Sequence, residues 1–319
     1  MQIQSSVVVF APTSVPSDIF HQCVRFLNER DANLLILQFL SLKSFHAYGL
    51  TCKIAYLMAK RYLRVHYNID QSLSVFIPIA DIAYFRNAQQ ATGTLIGGSF
   101  VLQFFTRITY KMSDIDLYVH QFFADELMNA LCAIGCQCSL PPTKLTALVY
   151  SPFTNQVVNF LSPTDRDIQV IVTYCRPIQA IFAYHSSGLT LHGSIIDAHI
   201  LRSAAVMNFL SGWYVYSLYG DETLDEGLSM YLCPDGGDQH GAKSKYERRG
   251  WITVADRQEA NTLAIFSPLP HLVGDEITWV IKLDSSTVRG VHGYRDPFIR
   301  DACWMLSVAD SGHSYISTL

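Results

Sequence analysis

No part of this chain constrains its fold as tightly as the run from Leu95 to Val119. Leu95-Ile96-Gly97-Gly98-Ser99 reads as a short strand that breaks into a turn and opens a helix, because glycine admits a close backbone approach and free N–H groups collect at a helix start. Phe100, Val101, Phe104 and Phe105 then recur at helical spacing. Ser113-Asp114-Ile115-Asp116-Leu117-Tyr118-Val119 begins with polar–apolar alternation and ends apolar, as a strand entering a core does. Residues two apart in a strand share a face, so the Asp114 and Asp116 carboxylates point the same way, with Cα atoms roughly 6–7 Å apart. Carboxylates so placed can hold one or two divalent metal ions beside a phosphate docked on the Gly-Ser turn.

A Gly-Gly or Gly-Ser turn, a short helix and an Asp-x-Asp strand together resemble the signature of the nucleotidyltransferase fold, the polymerase-beta-like superfamily. The match lies at Gly97, Gly98, Ser99, Asp114 and Asp116 and extends from the turn to about Val172. The spacing from Ser99 to Asp114 is at the long end of what that family uses. The resemblance implies nucleotide binding at Gly97, Gly98 and Ser99, Mg2+ or Mn2+ held by Asp114 and Asp116, and nucleotidyl transfer from a nucleoside triphosphate to a hydroxyl acceptor. The family also needs a third carboxylate on a later strand. The matching strand is Arg166-Asp167-Ile168-Gln169-Val170-Ile171-Val172, and the position expected to carry the acid holds Gln169. An amide is neutral, so it neither offsets metal charge nor takes a proton from an attacking hydroxyl. Asp167, two residues earlier on the same face, is the candidate substitute, and Asp165 falls in the turn. Impaired catalysis is expected, which makes a pseudoenzyme a natural alternative to an enzyme.

The rest of the chain sets bounds on these readings. Its 319 residues fit about two domains, and a 50% hydrophobic content allows a sizeable core. A net charge of −4 argues against a dedicated nucleic-acid binder and against a polybasic membrane-surface patch. No apolar run reaches the roughly 18–20 residues that span a bilayer. The first ten residues have no basic region and only a very short apolar core, so they do not read as a signal peptide. Eight cysteines scattered through apolar contexts fit reduced thiols. The expected location is therefore intracellular, cytoplasmic or nuclear. Cys132, Cys136 and Cys138 cluster, but no histidine or second cysteine pair completes a tetrahedral zinc site. They read as small buried residues at the end of a helix over 125–133, with Gly135 behind it.

Residues 11–67 read as a helical module. An Ile/Leu-rich helix ends in Phe39-Leu40, Ser41 caps a helix through Leu50, and a last helix carries Ala55, Ala59, Tyr62 and the basic Lys60, Arg61 and Arg64. That order resembles an F-box, a three-helix module that docks on the adaptor subunit of cullin-type ubiquitin ligases. The opening Leu-Pro of that motif is absent, with Val15-Pro16 in roughly its place. The resemblance implies a ligase-adaptor partner, and a client bound elsewhere on the chain.

The predicted architecture is α+β: a small N-terminal helical module, then a nucleotidyltransferase-like mixed sheet with flanking helices over 68–233, then a C-terminal extension of the same domain over 242–319. Strands are expected at 145–150, 157–161 and 166–173, and helices at 177–184 and 221–230. The aromatic stripe of Trp213, Tyr214, Tyr216 and Tyr219 reads as core, since no cation lies among it. Lys243, Lys245, Arg248 and Arg249 form the densest basic cluster. The cluster suits either a triphosphate or polynucleotide contact or a solvated helix end, and a solvated helix end is expected. The chain as a whole resembles fungal proteins that join an F-box-like start to such a transferase-like region. Against them, 188–203 reads as an insertion of the kind an unspliced intron leaves.

Overall fold

A computed structural model describes residues 29–111, 113–139, 153–184, 190–191, 194–195, 207–230, 242–254, 266, 269–283, 299, 301–308 and 314–318, together with 18, 21, 22 and 25. The chain forms two compact units, Met1–Val65 and His66–Leu319.

Among the described residues of the first unit, three helices follow one another over 30–66: α1 (Arg30–Phe39), α2 (Leu42–Thr51) and α3 (Lys53–His66). Ser41 starts α2 as expected, its side chain accepting the Ser44 N–H at 3.2 Å. Ala55, Ala59 and Tyr62 fall on one face of α3 and are buried, with the Tyr62 ring 5.5 Å from that of Phe45 on α2. Leu37 of α1 is also fully buried. A buried Asn33 accepts the Tyr48 hydroxyl and donates to the Glu29 carbonyl, so the polar group inside this small core is satisfied.

The second unit is a mixed α+β structure. After α4 (Ile69–Leu73) and α5 (Ile82–Thr92) come β1 (Leu95–Gly97), α6 (Gly98–Thr106), β2 (Ile115–His120), α7 (Ala124–Ala133), β3 (Gln137–Cys138), β4 (Thr154–Leu161), β5 (Asp167–Thr173) and α8 (Pro177–Tyr184). Next are a two-strand hairpin, β6 (Thr190–Leu191) with β7 (Ser194–Ile195), then β8 (Asn208–Leu210), β9 (Tyr214–Ser217), β10 (Leu228–Met230), α9 (Ala242–Glu247) and β11 (Ile252–Val254). The described part ends with β12 (His271–Leu272), β13 (Trp279–Lys282), β14 (Cys303–Val308) and β15 (Ser314–Thr318).

The main sheet has the order β13-β9-β8-β1-β2-β5-β4-β3, and every neighbouring pair is antiparallel except β2 with β5. That one parallel pair requires a crossover, which runs through α7 and the β3–β4 hairpin. Alternation along β2 and β5 decides what each face does. Ile115, Leu117, Val119, Ile168, Val170 and Val172 are buried on one face. On the other, Tyr118 and Ile171 join one core cluster with Ile178, Ile181 and Phe182 of α8. Asp116 and Gln169 lie two residues earlier on that same face, just before α8 covers it.

A buried polar clamp fixes the middle of the sheet. Arg86 of α5 is fully buried and donates to the Gln89 side chain and to the carbonyls of Ser211 (3.3 Å) and Gly212 (2.7 Å) in the β8–β9 turn. Gln90 donates to the same Gly212 carbonyl at 2.9 Å. Gln89 reaches the carbonyls of Thr94 (3.2 Å) and Leu210 (3.4 Å), which flank β1 and end β8. Burial lowers the Arg86 pKa to about 10, an effect the nearby Asp70 opposes. This network binds α5 to the start of β1 and to the β8–β9 turn beside it.

Several expectations change. Residues 221–230 are not one helix: a single π-type turn over Asp221–Asp225 ends at Gly227, whose φ is +67°, and Leu228–Met230 then pairs in parallel with Ile252–Val254. The backbone groups of 228–230 find a strand partner, and this outweighs local helical preference. Only Cys136 of the three clustered cysteines is buried, since Cys132 and Cys138 sit on exposed positions at the helix end and on the short β3. The strand expected at 145–150 lies outside the described residues, as does most of the insertion at 188–203. Among the described residues, no helix is long and apolar enough to cross a membrane.

Candidate functional site

The site begins with the two glycines. Gly97 ends β1 and Gly98 opens α6 with φ at +67°, a left-handed conformation that side chains rarely adopt. A Cβ at Gly98 would stand 2.1 Å from Oδ2 of Asp116, and one at Gly97 would stand 2.8 Å from Cε2 of Tyr118. The turn is therefore glycine because the β2 side chains press directly against it. In register, Gly97 pairs with Asp116, Asp116 with Gln169, and Gln169 with Asn159. These four residues form one lateral row across β1, β2, β5 and β4, and residues paired laterally in a sheet point to the same face.

Asp116 is half-buried and Asp114 exposed. Desolvation, and then the negative charge of Asp114, push the Asp116 carboxyl up to about 7, with Lys245 acting in the opposite sense. The third position in the row is an amide facing an amide, as Gln169 Nε2 donates to Asn159 Oδ1 at 3.3 Å. Asp167 is exposed and pairs with Leu161 on β4. Asp114 and Asp167 each immediately precede the Ile115–Ile168 pair. Among the described residues, no group of three or more His, Cys, Asp or Glu side chains is placed to hold a metal ion.

Ser99 faces inward. It is buried, and its hydroxyl lies 3.1 Å from that of Ser113. Gln103, one turn along α6, donates to the Ser99 carbonyl (3.1 Å) and to Ser113 Oγ (2.7 Å), and its Oε1 accepts the Tyr110 N–H at 2.6 Å. From the β4–β5 turn, Arg166 donates to the Lys111 carbonyl at 2.7 Å. The loop that carries Asp114 is thus tied at Tyr110, Lys111 and Ser113. What the turn offers outward is the first backbone N–H groups of α6, which have no intrahelical acceptor.

The basic cluster near the C-terminal part is not a simple solvated helix end. Arg249 lays its guanidinium 3.7 Å above the Tyr110 ring, and Tyr246 and Trp251 pack on Leu102 of α6. Arg248 is exposed, and the side chain of Lys243 lies outside the described ones. Sequence reasoning found the cluster but not its place beside the acidic strand. Tyr110, Gln103, Ser113, Asn159 and Tyr246 carried no signal of their own, because polar residues in loops and on strands are common and only their convergence is informative.

Chemically, the donor set suits a hard divalent cation. Mg2+ takes one or two carboxylates and otherwise keeps water or phosphate oxygens, which is what Asp114 and Asp116 beside a glycine turn can supply. Asp116, held above its usual range by burial and then by the charge of Asp114, is a group that a cation would relieve. The neutral Asn159–Gln169 pair can donate and accept hydrogen bonds but cannot act as a base at neutral pH. No protein-family model matches this chain, and no curated protein matches it either.

Proposed function

We propose that the His66–Leu319 unit is a nucleotidyltransferase-type domain that binds a nucleoside triphosphate with a divalent metal, and that its capacity to transfer the nucleotidyl group to a hydroxyl is impaired. The observation that carries this reading is the row Gly97–Asp116–Gln169–Asn159, in which a glycine turn meets one carboxylate and the next position is an amide. The backbone N–H groups at the start of α6 receive phosphate, and the missing Cβ at Gly98 lets the Asp116 carboxylate pack directly against that turn. Asp114 and Asp116 would hold Mg2+ or Mn2+, which, when bound, offsets phosphate charge and orients it. Gln169 fixes a hydroxyl or water by hydrogen bonding but takes no proton from it. Asp167, exposed and one step removed from the row, is the residue through which weak activity would run.

Thermal unfolding with each nucleoside triphosphate and Mg2+ or Mn2+ tests this. A ligand at a hundred times its Kd stabilises by roughly 2.7 kcal/mol, a rise of several degrees for a unit of this size. The rise should require metal and vanish in the Asp114→Ala/Asp116→Ala double variant. No rise with any nucleotide would remove the reading.

One observation favours a second reading. Helices α1, α2 and α3 leave Leu35, Phe39, Leu50, Tyr56, Leu57 and Val65 exposed. Side chains of this size on so small a module suit docking on a protein, as an F-box-type adaptor of a cullin ubiquitin ligase would require, with the second unit binding a client. Capture of the purified ligase-adaptor subunit by the full chain, lost on Leu50→Lys, would support it. Failure of the native chain to bind that subunit would dismiss it.

A further inference from the structure

The segment 242–254 is fixed beside the candidate site by three contacts. Tyr246 and Trp251 pack on Leu102, on the helix that the Gly-Gly turn opens, with Leu224 against them. Arg249 stacks on Tyr110, in the loop that leads to Asp114. Beyond them, Ile252 pairs with Leu228 and closes the segment into a two-strand sheet. Helix α9 is thereby tied to both sequence stretches that build the site.

Two polar groups on this segment lack partners. Tyr246 is 2% exposed, and its hydroxyl makes no hydrogen bond. The Nη1 of Arg249 is buried and also makes none. Buried donors are almost always satisfied, and leaving one unmet costs more than a typical hydrogen bond returns. These two donors share one electrostatic neighbourhood with the acids. Burial raises the Tyr246 pKa, Arg249 opposes that rise, and the charges of Asp116 and Asp114 add to it. A phenol and a guanidinium near two carboxylates suit a ligand that is anionic toward the helix and carries a cation toward the acids. A metal-bound phosphoanhydride has that charge pattern, and Arg is well suited to paired phosphate oxygens.

We propose that Tyr246 and Arg249 form a phosphate-recognising subsite beside the loop that leads to Asp114 and Asp116, and that it takes the polyphosphate chain of a nucleoside triphosphate or of an inorganic polyphosphate. The inference rests on the nucleotide-binding reading only for the carboxylate side.

Calorimetric titration of the full chain tests it, with ATP, AMP and inorganic tripolyphosphate, each with Mg2+. The variants are Tyr246→Phe, Arg249→Gln and Asp114→Asn/Asp116→Asn, with a thermal melt of each as a check on folding. Tyr246→Phe keeps the ring in its cluster with Leu102 and Trp251 and removes only the unpartnered hydroxyl. The expected result is that either subsite variant weakens ATP and tripolyphosphate by about tenfold or more and leaves AMP unchanged. Tripolyphosphate binding as tightly as ATP would identify the phosphate chain itself as the ligand, whereas ATP binding alone would identify the nucleotide; both support the subsite. If tripolyphosphate is weakened by the subsite variants but not by the double Asn variant, the subsite stands and the carboxylate reading falls. If ATP is lost in the double Asn variant while Tyr246→Phe and Arg249→Gln bind as the native chain does, the subsite is overturned and the nucleotide reading survives. No binding of any of the three by the native chain overturns both.

Discussion

Replacing Asp116 by asparagine should stabilise the ligand-free protein, and by an amount that depends on pH. The carboxyl is held up at about 7, against an ordinary value of 3.8, by burial and by Asp114. The native state therefore binds this proton more tightly than the unfolded chain does. Below the unfolded value both states are protonated and the carboxylate costs nothing. As pH rises through 3.8 and on to about 7, the unfolded chain ionises first and the native state loses stability. At about 1.4 kcal/mol for each pH unit between those values, the full cost is at most about 4 kcal/mol. Asp116 is only half-buried and Lys245 lies near it, so about 1–2 kcal/mol is the working expectation. At roughly 2–4 °C per kcal/mol for a unit of this size, Asp116→Asn should raise Tm by about 2–8 °C at pH 8. The gain should shrink toward zero near pH 4. Paired thermal melts across pH 4–8 measure this directly. A Tm difference that does not change with pH, or an asparagine variant that melts below the native chain at pH 8, would refute the electrostatic reasoning. If the proposed nucleotide reading holds, the same variant should also lose any stabilisation by a metal–nucleotide complex.

Gly98→Ala should destabilise by about 2–4 kcal/mol in chemical denaturation, since φ at +67° and a Cβ 2.1 Å from Asp116 Oδ2 both oppose it; pairing it with Asp116→Gly should recover part of that loss. Gln169→Glu places a second carboxylate in register with Asp116 and should lower ligand-free Tm at pH 8 while tightening Mn2+ binding by about tenfold or more, read by calorimetry; unchanged Mn2+ affinity would argue against a metal site in this row. Arg86→Met should cost about 2–4 kcal/mol, because the carbonyls of Ser211 and Gly212 lose buried donors; equilibrium unfolding measures it, and a loss below about 1 kcal/mol would show that water replaces the guanidinium.

Much of the candidate site was legible in sequence because its signals are local. Two glycines before an apolar helical period, and two aspartates at strand spacing, can each be read from a few neighbouring residues. The structure gives α6 over Gly98–Thr106 and β2 over Ile115–His120, and α8 over Pro177–Tyr184 as the sequence predicts. That Gln169 stands where an acid was expected was visible from the apolar frame of its strand, and the register with Asp116 gives that position a spatial meaning. Where reading failed, the deciding interactions were distant in sequence. Leu228–Met230 became a strand because Ile252–Val254 lay alongside it.

What the sequence determined by itself was the alternation and periodicity of each element and the residues at its ends, because propensity, capping and the need for glycine act over a few residues. What only the tertiary structure decided was which ends meet. Asp116 needs Gly98 because β1 and β2 are neighbours, Arg86 is tolerated at full burial because a distant turn presents two carbonyls, and Arg249 stacks on Tyr110 because segment 242–254 folds back onto α6 and the loop that leads to the acidic strand. Local chemistry is written in neighbouring residues, whereas burial and electrostatic coupling depend on the path of the whole chain, and those two set the charge state of the candidate site.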